Sequence, residues 1–264
     1  MTLRFHARPA LIAYVTCGDP DLGATGEVVL AAVNAGADVV ELGVPFSDPV
    51  ADGPVIQRAS QRALENGTRL GDVLDLACDV RRQSDAGLII FSYFNPVLRF
   101  GVERFAATAQ AAGVDGALIT DLTVEEADDY LRTMRSRNLT TVFLAAPTST
   151  DARLRAIAKA SSGFIYAVSR TGVTGQQKQL ASDARELVAR LRRFSRLPIA
   201  VGFGISTPEQ FAQAGRFADA VVVGSALVQA IESAGKAGAA RAVAELVGKL
   251  KGEHSAASRR HSAG

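Results

Sequence analysis

Val28-Val29-Leu30-Ala31-Ala32-Val33-Asn34-Ala35-Gly36-Ala37-Asp38-Val39-Val40-Glu41-Leu42 contains the unit from which the chain is built. Val28, Ala31, Ala32 and Ala35 recur at helical spacing, Gly36 ends the helix, and residues 38–42 form a short apolar run of strand length. The same reading finds eight such runs, at 10–16, 38–42, 88–93, 116–120, 141–145, 164–168, 199–203 and 220–223. Most are apolar throughout, as parallel strands covered on both faces must be. Leu187, Leu191 and Phe194 mark another helical face between runs. Thr150-Asp151 ahead of Leu154, and Ser206-Thr207-Pro208-Glu209 ahead of Phe211, are helix-start signals.

Eight strand-then-helix units without a break in composition predict a single α/β domain, a (β/α)8 TIM barrel over residues 1–252. An open eight-stranded sheet is the alternative. The stretches 43–87 and 169–196 are overlong, which predicts extended loops after strands 2 and 6. Barrel chemistry is carried by the loops that follow the strands, so both are expected to face substrate. Residues 253–264 are small and polar and are expected to form a disordered tail.

Composition narrows the function. Of 264 residues, 48% are apolar and 21% charged, which suits a large core. The net charge of +2 comes from 29 basic and 27 acidic residues, without the clustered excess that nucleic acid requires. Cys17 and Cys78 stand far apart and outside any metal or disulfide pattern. No apolar run is long enough to span a membrane, and the first residues lack a signal-peptide pattern. A cytoplasmic location is expected.

Two glycine-containing strand ends, Gly202-Phe203-Gly204-Ile205-Ser206 and Val223-Gly224-Ser225-Ala226, sit where barrels bind phosphate. Glycine lets main-chain N–H groups approach an oxyanion, and a helix opening at Ser225 would add its positive end. Gly175 could supply a further N–H from the sixth loop. Tight turns alone would also account for these glycines.

Elimination limits the chemistry. His6, His254 and His261 lie near the ends of the chain, and none of the five lysines falls in a strand. Neither histidine acid/base catalysis nor a Schiff base has a candidate. Carboxylates remain. Glu41 lies among Val, Leu and Gly at the end of strand 2, where burial would raise its pKa toward neutrality. A structural arginine pair would be the plainer explanation. Asp52 lies in the second loop and Asp121 follows strand 4; each reads equally well as a turn or capping residue.

The second loop, Glu41-Leu42-Gly43-Val44-Pro45-Phe46-Ser47-Asp48-Pro49-Val50-Ala51-Asp52-Gly53-Pro54, closely resembles the signature of the tryptophan synthase alpha chain family. So do Ser169-Arg170-Thr171-Gly172-Val173-Thr174-Gly175, Gly202 to Ser206, Gly224-Ser225-Ala226 and, apart from a variable residue at Cys17, Thr16-Cys17-Gly18-Asp19-Pro20. The matches run in order along almost the whole chain. The resemblance implies a carbon–carbon lyase, the retro-aldol cleavage of indole-3-glycerol phosphate to indole and glyceraldehyde 3-phosphate in tryptophan biosynthesis. It implies that Glu41 is the acid/base and that Asp52 holds the indole N–H. Tyr166 would help to place Glu41 and the substrate. Thr174, Gly175, Phe203, Gly204, Gly224 and Ser225 would form the rest of the substrate site, chiefly around the phosphate. It further implies no metal and no cofactor in this chain, with pyridoxal phosphate only in a partner beta chain. Asp48 and Pro49 would contact that beta chain in an alpha2beta2 heterotetramer. The sequence departs from the family in its short start before strand 1 and in Leu122-Thr123, where prolines are common. A stand-alone lyase releasing indole, or a non-catalytic phosphate-binding regulatory barrel, are the competing expectations.

Overall fold

Eight parallel strands close into a barrel in chain order, and the pairing of the last strand with the first rules out the open sheet. The computed structural model describes the chain except residues 1, 2, 4, 6, 169–176, 203 and 262–264, and the side chains of 177–181 and 253–261. The strands are β1 Ala10–Thr16, β2 Val39–Gly43, β3 Gly87–Ser92, β4 Gly116–Ile119, β5 Thr140–Ala145, β6 Ile165–Val168, β7 Ile199–Gly202 and β8 Ala220–Val223. Each lies within a residue of its expected run, apart from residue 203 outside the described set.

The helices are α1 Leu22–Asn34, α2 Pro54–Glu65, α3 Leu70–Arg81, α4 Phe94–Phe100, α5 Val102–Ala111, α6 Asp128–Ser136, α7 Asp151–Ala160, α8 Gln177–Arg192, α9 Pro208–Gly215 and α10 Ser225–His261. The long stretch after β2 is explained by α2, an additional helix ahead of the crossover helix α3. Helix α4 is a second addition that the apolar pattern did not reveal. The sixth loop falls outside the described residues. Thr150 caps α7 through its side chain, and Thr207 and Gln210 form a capping box on α9 with Pro208 in the first turn. Gly235, at φ 63° and ψ 178°, breaks α10 into a first segment at the barrel mouth and a longer second one. The bounds of α10 run into the stretch expected to be a disordered tail, whose side chains lie outside the described set.

Alternation along the strands divides the core in two. Ile12, Val39, Ile89, Leu118 and Phe164 meet inside the barrel, while Leu11, Val40, Leu42, Leu88 and Ile90 face the helices. Leu3 and Phe5 pack against the interior cluster, with Phe5 edge-on to Phe164 at 6.1 Å. They occupy the base of the barrel. Three buried aspartates tie neighbouring strands together. Asp38 accepts from Leu11 N–H and Lys251, Asp115 from Leu88 N–H and Arg81, and Asp219 from Ile199 N–H and Arg192. Each carboxylate thus meets a cation and a main-chain donor, which offsets its loss of water. Among the described residues, no helix is long and apolar enough to cross a membrane.

Candidate active site

Two residues beyond the interior layer, the inward positions open onto a cavity of about 330 Å³. A period of two fixes who reaches it: Val39 fills the core and Glu41 follows it, as Tyr166 follows Phe164 and Gly224 follows Val222. Glu41, Asp52, Tyr166, Gly204, Gly224 and Ser225 all line this space, so the structure brings six of the expected residues together. Thr174, Gly175 and Phe203 lie outside the described residues.

Glu41 is fully buried, and neither carboxylate oxygen has a hydrogen-bond partner among the described residues. Among the described residues Glu41 therefore has no arginine partner. Desolvation pushes its carboxyl up to about 8, so it is a neutral acid at pH 7. An unsatisfied buried polar group costs roughly 1–3 kcal/mol, so packing alone gives no reason for a glutamate here.

Asp52 precedes α2, but the N-cap is Gly53, with no side-chain cap bond, and Pro54 opens the helix. Its carboxylate is thus not spent on capping. The Tyr93 hydroxyl donates to Asp52 Oδ2 at 3.0 Å and accepts from the Ala51 N–H at 2.9 Å. Burial pushes Asp52 up to about 6, against the lowering effect of the Tyr93 bond. Asp121 instead accepts the Phe94 N–H at 2.7 Å and anchors the start of α4. It does not line the cavity.

Two glycines make space for tyrosines. A Cβ on Gly202 would lie 2.4 Å from the Tyr166 hydroxyl, and one on Gly43 would lie 2.5 Å from that of Tyr14. Tyr14 is the register partner of Glu41 and stands edge-on to Phe91 at 5.0 Å. Together Tyr14, Phe91, Leu144 and Tyr166 give the cavity an apolar, aromatic wall beside Glu41. At the ends of β7 and β8, Gly204 adopts a left-handed φ of 73°, and the first bonds of α10 run from Leu227 and Val228 to Gly224 O. The N–H groups of Ser225 and Ala226 precede that ladder, at the positive end of the helix. Asp48 is exposed and Pro49 half-buried on the loop outside the cavity.

Sequence reasoning missed Tyr14 and Tyr93. The inward alternation Ala10, Ile12, Tyr14 was available as a signal for the first. Nothing local links Tyr93 to a carboxylate 41 positions earlier.

The sequence profile described as tryptophan synthase alpha chain matches residues 1–258. The tryptophan synthase alpha chain of Solibacter usitatus is 54% identical over 230 residues, covering 87% of this chain and 86% of the relative. That of Geobacter sulfurreducens is 46% identical over 249 residues, 94% of each chain. A structure of Mycobacterium tuberculosis tryptophan synthase superposes with a TM-score of 0.85 at 41% identity, covering 92% of this chain and 91% of the other. The tryptophan synthase complex of Pyrococcus furiosus gives 0.84 at 39% identity, with 93% and 98% covered.

Proposed function

This chain belongs to the tryptophan synthase alpha chain family, and from that premise we propose that it cleaves indole-3-glycerol phosphate to indole and glyceraldehyde 3-phosphate. An enzymatic role in tryptophan synthesis follows from membership; the lyase step is our reading of the site. The observation that carries it is the pair Glu41 and Asp52, held in different surroundings in one cavity that Gly204, Gly224 and Ser225 also line.

In this reading the phosphate rests on the N–H groups at Gly204 and Gly224–Ser225; the family resemblance adds Thr174, Gly175 and Phe203, which lie outside the described residues. The indole ring lies against the aromatic wall, and Tyr166 helps to hold it beside Glu41. Neutral Glu41 gives its proton to indole C3, and positive charge appears on the ring nitrogen. Asp52, an anion above about pH 6, accepts the ring N–H and stabilises that charge. The Glu41 carboxylate then takes the proton of the hydroxyl on the adjacent side-chain carbon. The C–C bond breaks as this carbon becomes an aldehyde, and its electron pair returns to the ring and neutralises the nitrogen. Glu41 ends protonated, ready for another cycle. Anchoring by the distant phosphate orients the bond to be broken. No metal or organic cofactor is required of this chain.

Family membership also implies a beta-chain partner; we assign pyridoxal phosphate to that partner and an alpha2beta2 stoichiometry to the assembly. Asp48 and Pro49 would contact it. Val50 and Leu98 support this placement: they are exposed large hydrophobics, 87% and 58% accessible, on the loop after β2 and on α4. We place the enzyme in the cytoplasm and treat residues 1–252 as its catalytic domain.

The test is cleavage of indole-3-glycerol phosphate by the purified chain, with a titrated beta chain. Slow cleavage alone and faster cleavage with the partner support the assignment. High activity alone that a beta chain leaves unchanged would mark a stand-alone lyase. No cleavage under either condition would leave only a phosphate-binding barrel.

A further inference from the structure

Outside the cavity, a charged cluster joins the segments that follow β1, β2 and β8. Arg62, on α2, donates from Nε and one terminal nitrogen to both oxygens of Asp19, each at 2.8 Å. Its other terminal nitrogen reaches Glu232 on α10 at 2.8 Å. Arg58 adds two bonds to Glu232, at 3.0 and 2.8 Å. Asn66 donates to the carbonyls of Gly18 and Pro20, fixing the loop that carries Asp19. Asp19 is only 4% exposed, whereas Arg62 and Glu232 are partly open to water.

The position of this cluster gives it meaning. Helix α2 starts two residues after Asp52, and the first segment of α10 starts at Ser225. Ala59 and Val228 pack these two helices together with Tyr14, so an apolar contact already joins them. Apolar contact is not directional and leaves sliding of one helix along the other weakly opposed. The planar guanidinium fork fixes direction as well as distance, which a single ammonium cannot reproduce. None of Asp19, Arg62 and Glu232 lines the cavity. Arg58 and, with it, Arg62 hold Glu232 down at about 2, so it remains charged over the whole working pH range.

We propose that Arg62 is a positioning residue that sets the separation between the Asp52 carboxylate and the main-chain donors at Gly224–Ser225, and so matches the site to the length of an indole ligand carrying a phosphate tail. The inference rests on the reading of those two ends given above. Its consequence is particular: ligands that use one end are indifferent to Arg62, and ligands that span both are not.

Arg62→Lys is therefore compared with the unaltered chain for three ligands, inorganic phosphate, indole, and an unreactive indole-propyl phosphate that bridges both ends. Phosphate and indole should bind within about twofold of the unaltered chain, whereas the bridging ligand weakens at least tenfold and kcat/KM falls with it. Equal weakening of all three, or no weakening of the bridging ligand, overturns the proposal. Should Arg62→Lys fold poorly, Glu232→Gln, which keeps the Arg62–Asp19 pair, must give the same pattern at smaller size. Binding is read without turnover: an unaltered chain that binds the bridging ligand but cleaves nothing refutes the lyase assignment and leaves this test intact.

Discussion

The Tyr93 hydroxyl donates to Asp52 Oδ2 at 3.0 Å, joining the end of the third strand to the loop after the second. A hydrogen bond to the ionised form lowers a carboxyl pKa, and burial has already raised this one to about 6. Tyr93→Phe should therefore move the acidic limb of the kcat/KM profile to higher pH, with a loss of roughly tenfold at pH 6.5 and less at pH 8. A limb that stays in place would show that Tyr93 does not tune Asp52.

Glu41 links activity to stability with opposite signs. Its ordinary pKa of 4.5 is raised to about 8 in the folded chain. Above pH 4.5 the unfolded chain releases a proton that the folded chain keeps, so this group's stabilising contribution is complete below 4.5 and is lost as pH rises toward 8. Glu41→Gln has no such loss. It should abolish turnover and yet be more stable than the parent by roughly 3 kcal/mol at pH 7, with no difference near pH 4. Urea unfolding at the two pH values measures this, and a pH-independent difference would contradict it. For the same reason kcat/KM of the parent should fall above about pH 8, where Glu41 loses the proton it must donate.

Gly202 is required by Tyr166. A methyl at that position would meet the phenol oxygen at 2.4 Å, while the next ring atoms are at 3.1 and 3.3 Å. Gly202→Ala should cost about 1–3 kcal/mol and displace the ring from the cavity. Adding Tyr166→Phe removes the closest overlap, so the double variant should be more stable than Gly202→Ala alone. Additive losses in a thermal unfolding series would count against that contact.

Leu98 offers a test of the partner face. It lies on α4, outside the residues lining the cavity, and is 58% exposed. Leu98→Asp should leave cleavage by the isolated chain within about twofold while weakening activation by the beta chain tenfold or more, as loss of an apolar contact at an interface does. An unchanged activation curve would place the partner elsewhere.

The sequence by itself determined the strand count and the strand ends at which Glu41, Gly204 and Ser225 stand, while closure of the barrel was decided by the pairing of β8 with β1. The strand count and strand ends follow from short-range periodicity, because alternation within a strand fixes which residues face inward whatever the rest of the chain does. The second-loop signature likewise pointed to Asp52, although its local reading as a capping residue was equally good. The tertiary structure removed the capping reading, by giving the cap to Gly53 and the carboxylate to Tyr93. It also showed Glu41 without an arginine among the described residues, Asp121 tied to α4, and Arg62 joined to residues more than forty positions away in either direction. Such partners meet only when the barrel closes, and desolvation depends on everything that surrounds a group, so neither is written in any local stretch of chain.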